Sequence, residues 1–172
     1  MDKFSFYGVL WNKNFDFAKD LISDIDKTYH VESLIEVDVR DNLYRFIKDA
    51  YHPLLPDDYA KYKAKMLEER GCGDILVFKI TVDNPEFLFD YEEQHKFCVQ
   101  TKMLKNAIRE KYIPMMDNYV LDVLVHFSDC GAENKFLLNA VRNNRDRIKE
   151  VRTIKENGQE RCFNKGSDGV CK

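Results

Sequence analysis

The stretch VLVHFSDCGAEN, residues 123–134, gathers residue types that do chemistry. An apolar run ends in His126, and Ser128 and Asp129 follow as helix-opening residues. The imidazole is therefore expected beside the free N–H groups and positive end of a helix, a place that favours an anion. A neutral imidazole there can act as nucleophile or general base toward phosphate, with a neighbouring hydroxyl or carboxylate fixing its tautomer. The plain alternative is a hydrogen-bonded strand end followed by an N-cap.

A phosphate site needs cations. Lys102, Lys105 and Arg109 fall at i, i+3 and i+7 of one predicted helix, which gathers positive charge on one face, although solvation is the ordinary use of such a stripe. Lys13 lies just past the first predicted strand, where binding loops collect. Metal chemistry is the competing reading. His95-x-x-Cys98 and His126-x-x-x-Cys130 have spacings that bring two ligands to one ion. Cys130 at a helix start is a nucleophile candidate by position, yet no recognised cysteine–histidine arrangement surrounds it. Asp122 and His126 share a face of a predicted strand but stand about 13 Å apart, too far for a dyad.

The elements that must position these groups read clearly in places. Phe4 to Trp11 is an aromatic and β-branched run, expected to be a central strand. After Asn14, the stripe Phe17, Ala18, Leu21, Ile22 and Ile25 predicts an amphipathic helix. VESLIEVDV alternates with Val31, Ser33, Ile35, Val37 and Val39 on one face, a half-exposed strand near a sheet edge. A helix follows from Asp41 to Tyr51, and DDYAKYKAKMLEER is a second one, with Tyr59, Tyr62 and Met66 expected on its buried side. DILVFKITV predicts a strand covered on both faces. Residues 91–112 read as a helix, YVLDVLVHF as a buried strand, and the segment from Asp129 as a helix carrying Phe136, Leu137, Ala140 and Val141. Asn157-Gly158 signals a hairpin, and the last eight residues a loose end.

This order predicts an α/β (α+β) fold, a ferredoxin-like βαββαβ antiparallel sheet with helices packed on one face. The two helices after the second strand are read as an elaborated connection. A doubly wound parallel sheet is the alternative, but no Gly-rich phosphate loop follows any strand. The chain divides into a single α/β domain over 1–141 and a basic C-terminal extension over 142–172.

The 172 residues are 44% hydrophobic with 7 Gly and 4 Pro, which supports a real core and excludes disordered and low-complexity classes. The net charge of −3 is unevenly spread: the extension holds nine Lys/Arg against five Asp/Glu, and the remainder eighteen against twenty-five. With a pI near 5.8, nucleic acid is not an expected partner. Five cysteines, an odd number without a dense pattern, suit a reducing compartment. No signal peptide is evident and no apolar run approaches the roughly 20 residues of a membrane span, so a cytoplasmic protein is expected, with a homo-oligomer left open.

The string His126-Phe127-Ser128-Asp129, with the order of elements around it, resembles the H-G-S-D signature of nucleoside diphosphate kinases, in which the histidine is phosphorylated. Phe127 stands where that family has glycine, and Trp11-Asn12-Lys13 where it has Lys-Pro-Asp. The resemblance implies His126 as the catalytic group, with Lys13 and Arg109 on phosphate. Ser128 and Glu133 are assigned beside it as the neighbouring hydroxyl and carboxylate, Glu133 away from the family spacing, and Lys102 and Lys105 join Arg109 on phosphate through the charged helical stripe. The resemblance also implies Tyr51 against a base, although Tyr51, Tyr59 and Tyr62 lie on or near apolar stripes that suit packing, and magnesium arriving with the nucleotide. Two functions stay open: a nucleotide- or phosphate-binding phosphotransferase working through a phosphorylated histidine, and a non-catalytic ferredoxin-like ligand-binding or protein-interaction module.

Overall fold

The computed structural model describes residues 2–51, 55–92, 94–120 and 122–154, and the backbone of 160–164. A central strand β1 (Lys3–Leu10) leads through helix α1 (Ala18–Thr28) to β2 (Val31–Asp38). Helices α2 (Leu43–Tyr51) and α3 (Asp57–Glu69) precede β3 (Asp74–Asp83). A small hairpin of β4 (Phe87–Asp90) and β5 (His95–Cys98) comes before α4 (Val99–Tyr112). Then follow β6 (Val125–Phe127), α5 (Gly131–Asn143), β7 (Ile148–Ile154) and β8 (Glu160–Asn164).

The main sheet has the order β6-β1-β3-β2-β7-β8, and every neighbouring pair in it is antiparallel. The strands β1 and β2 run the same way with β3 between them, and β6 closes the far side of β1. That is the split βαββαβ plan of a ferredoxin-like core. With no parallel neighbours, the doubly wound alternative is overturned.

Helices cover both faces of the sheet, which corrects the expectation of one covered face. Side chains alternate along a strand, so Phe6 and Leu10 of β1 with Phe78 and Ile80 of β3 pack on α1 and α4. Val9 and Trp11, with Ile75 and Val77, pack on α2, α3 and α5. The second face exists because α2 and α3, read as a long connection, fold back as a layer.

Several boundaries differ from the sequence reading. The α3 stripe is Ala60, Lys63, Ala64 and Leu67, while Tyr59 and Tyr62 are 37% and 48% exposed. The buried positions carry two small residues and a lysine, so the larger tyrosines drew the stripe to the wrong face. Phe97 belongs to a strand, and α4 begins only at Val99. A register shift between Val31 and Ser33 sends Val31 to the α1 face and leaves Ile35 and Val37 on the other. Strand β6 has three residues, because Asn118 and Asp122 take left-handed φ values of 50° and 52° that no continuous strand accommodates.

The extension adds β7 beside β2, so β2 is not an edge. Strands β7 and β8 pair as the Asn157-Gly158 signal predicted; the turn itself and the last eight residues lie outside the described residues. Two basic residues of the extension meet acidic residues of the body: Lys149 Nζ lies 2.7 Å from Asp74 and Arg147 Nη1 lies 3.9 Å from Asp41.

Candidate functional site

Val125 and Phe127 turn into the α1/α4 core, so strand alternation aims His126 at the opposite face. There its ring meets Tyr51 of α2, with centroids 4.5 Å apart. Tyr51 in turn stacks on Trp11 at 6.0 Å. Above this aromatic row lies Lys63 of α3, only 1% exposed. Its ammonium is 4.8 Å from the centroid of the Trp11 ring, and it donates to the Tyr51 hydroxyl at 3.1 Å and to the Asp122 carbonyl at 2.9 Å. Cation–π contact and two oxygen acceptors make an amine tolerable in a core position.

Burial dominates the electrostatics. It lowers the Lys63 pKa to about 7, with Arg109 pushing the same way and Asp122 opposing. It holds the His126 imidazole well below its ordinary value, helped by Lys63, Lys105 and Arg109. His126 is therefore neutral at physiological pH, and neither ring nitrogen has a hydrogen-bond partner among the described residues. The Tyr51 phenol is pushed well above its ordinary pKa by the same burial.

Because β6 is an edge strand, Lys105 and Arg109 of α4 lie close enough to His126 to help lower its pKa. Arg109 Nη2 lies 2.8 Å from Asp122 Oδ1, which also accepts the Tyr119 hydroxyl at 3.1 Å. Lys105 Nζ lies 3.3 Å from Asp129 Oδ1, and His95 Nε2 lies 3.5 Å from Oδ2 of the same residue. Two buried donors, Arg109 Nε and Trp11 Nε1, have no partner among the described residues.

The structure thus brings together His126, Tyr51, Lys105 and Arg109 of the sequence-predicted set. Tyr51 is not offered to a base: its neighbours are Trp11 and His126, and Lys63 lies 5.1 Å from its centroid. Ser128 is fully buried, and its hydroxyl donates to the Tyr7 carbonyl at 2.9 Å while accepting the Tyr7 N–H at 3.1 Å. It fastens β6 to β1 and does not serve the imidazole. Glu133, in the first turn of α5, accepts the Asp129 N–H at 2.7 Å just ahead of the helix, and burial pushes its carboxyl pKa up.

Lys13 lies on the other side of the sheet. It pairs with the buried Glu36 at 2.5 Å, lining a groove of about 360 Å³ between α1, β2 and β7. Lys102 is 3.9 Å from Asp90 and sits over the Phe97 ring. The four proposed metal ligands are not assembled: Cys98 packs in the α1/α4 core while His126 faces away from it. Among the described residues no group of three or more His, Cys, Asp or Glu side chains could hold a metal.

Two members of the site escaped the sequence reading. Lys63 looked like one more charge on a charged helix, and its only signal was its place in the stripe Ala60-Lys63-Ala64-Leu67. Asp122 was set 13 Å from His126 by an assumed strand, whereas its left-handed backbone returns it to Lys63 and Arg109. No helix among the described residues is long and apolar enough to cross a membrane. Comparison of the chain with family models, curated proteins and solved structures returns no match.

Proposed function

We propose that the protein binds a phosphate-bearing small molecule, a nucleotide, at the His126 edge of the sheet and that His126 accepts its terminal phosphoryl group. One observation carries this reading: a neutral imidazole without a hydrogen bond among the described residues, near three basic side chains, Lys63, Lys105 and Arg109. A neutral ring has the lone pair that attack on phosphorus requires, and cations near it stabilise charge developing on the phosphoryl oxygens.

In this reading one ring nitrogen of His126 attacks the terminal phosphorus. The P–N bond forms as the bond to the bridging oxygen breaks, and the diphosphate leaves with that electron pair. Arg109 and Lys105 meet the oxygens from the α4 side. Lys63, whose pKa is about 7, becomes protonated as the phosphate approaches and supplies charge from behind Tyr51. Magnesium comes with the nucleotide, because both nearby carboxylates, Asp122 and Asp129, are already paired with cations.

The positions of Ser128 and Glu133 favour a second reading, a non-catalytic phosphate-binding module, since neither orients the imidazole. Incubation with γ-labelled ATP or GTP and magnesium separates the two. The phosphotransfer reading expects acid-labile label on the wild type and none on His126→Asn. Nucleotide binding without label leaves the module and removes the phosphohistidine.

A further inference from the structure

Against Arg109, the protein already places an anion of its own. The Asp122 carboxylate lies 2.8 Å from Arg109 Nη2 and accepts the Tyr119 hydroxyl, while the carbonyl of the same residue receives Lys63. One residue therefore touches two of the three cations near His126. Its backbone is fixed from inside by Lys63, but its side chain is 49% exposed and can swing into solvent. Arg109 is left incompletely used, with Nε buried and unpartnered among the described residues. A guanidinium presents a planar fork that a phosphate can engage along two N–H groups, whereas Asp122 meets it at Nη2 and leaves the buried Nε without an acceptor among the described residues.

Resting on the phosphate-site reading above, we propose that Asp122 is a resident competitor that occupies Arg109 until a phosphate-bearing ligand displaces it. The device sets a charge threshold. A ligand of low charge gains little by replacing a carboxylate, whereas a polyphosphate gains both edges of Arg109 and loses only one ion pair. Release of Asp122 also frees Tyr119, whose hydroxyl is held by the same carboxylate oxygen. If the carboxylate occupies Arg109 about nine-tenths of the time, it weakens apparent affinity about tenfold.

Asp122→Asn is a suitable variant because asparagine tolerates φ near 52° and can still accept from Tyr119. Asp122→Gly keeps the backbone conformation and removes the side chain altogether. Calorimetric titration with inorganic tripolyphosphate and with magnesium ATP is expected to show both variants binding about tenfold more tightly than the wild type. It should show a smaller gain for inorganic monophosphate. Wild-type binding that stays equal or becomes weaker in both variants overturns the competitor role while leaving the phosphate site standing. No binding by the wild type or either variant overturns the phosphate site and the competitor with it.

Discussion

Between pH 7 and pH 10 the wild-type protein is expected to gain stability relative to Lys63→Met, by on the order of 3 kcal/mol. The folded-state pKa of Lys63 is about 7, against 10.5 for a free amine. In that interval the unfolded chain binds the proton and the folded chain does not, so low pH favours unfolding and rising pH removes the penalty. Below about pH 7 the penalty is at its maximum, and above 10.5 it is gone. Tyr51 and Cys72 act in the opposite direction at higher pH, because burial pushes both groups up, Cys72 to about 12. Their unfolded counterparts ionise first, so stability falls above about pH 9 to 10 in wild type and variant alike. Subtracting the two denaturation profiles isolates Lys63. A flat difference between pH 7 and 10 means that the amine is not desolvated as described.

Gly8→Ala is expected to destabilise the protein by about 2–3 kcal/mol and to weaken phosphate binding as well. A Cβ at Gly8 would lie 2.3 Å from Phe78 Cζ and 2.9 Å from the carbonyl oxygen of His126. Neither neighbour yields easily. The Phe78 ring is 1% exposed and packs edge-on against Phe127 at 5.1 Å, and the His126 carbonyl belongs to the strand that carries the imidazole. The added methyl must therefore displace β6 or the core beside it. Phe78→Leu vacates part of that space, so the double variant should lose less stability than the two single losses added together. Thermal unfolding of the four proteins measures this coupling, and an additive result would place Phe78 away from Gly8.

The sheet was legible where strands are continuous in apolar residues and end in turns, as in β1 and β3. The antiparallel order followed from the absence of phosphate loops and from the element sequence. The site was legible only in part. His126 stood out because a strand, a histidine and a helix start fall together, and Arg109 because it falls with Lys102 and Lys105 at helical spacing on α4. Lys63 was hidden, since hydropathy counts an amine against burial and cannot see the aromatic rings and oxygens that accept it. Asp122 was hidden by period: YVLDVLVHF alternates like a strand, and nothing local announces the left-handed turn at Asp122. Lys13 was misplaced for a third reason, because a residue just past a strand can serve either face, and Glu36 fixes it on the far one. The β4–β5 hairpin went unread because residues 95–98 continue the helical stripe of α4 backwards, whereas Gln94, at φ 55°, stands in a left-handed conformation just ahead of β5.

A chemical-shift map of the isotopically labelled protein, titrated with magnesium ATP, addresses the His126 site itself. Saturable shifts are predicted to centre on the His126 ring, the Arg109 Nε–H and the Lys63 side chain, with little change around Lys13 and Glu36 in the groove across the sheet. Shifts confined to that groove, or none that saturate, would contradict a phosphate site at His126.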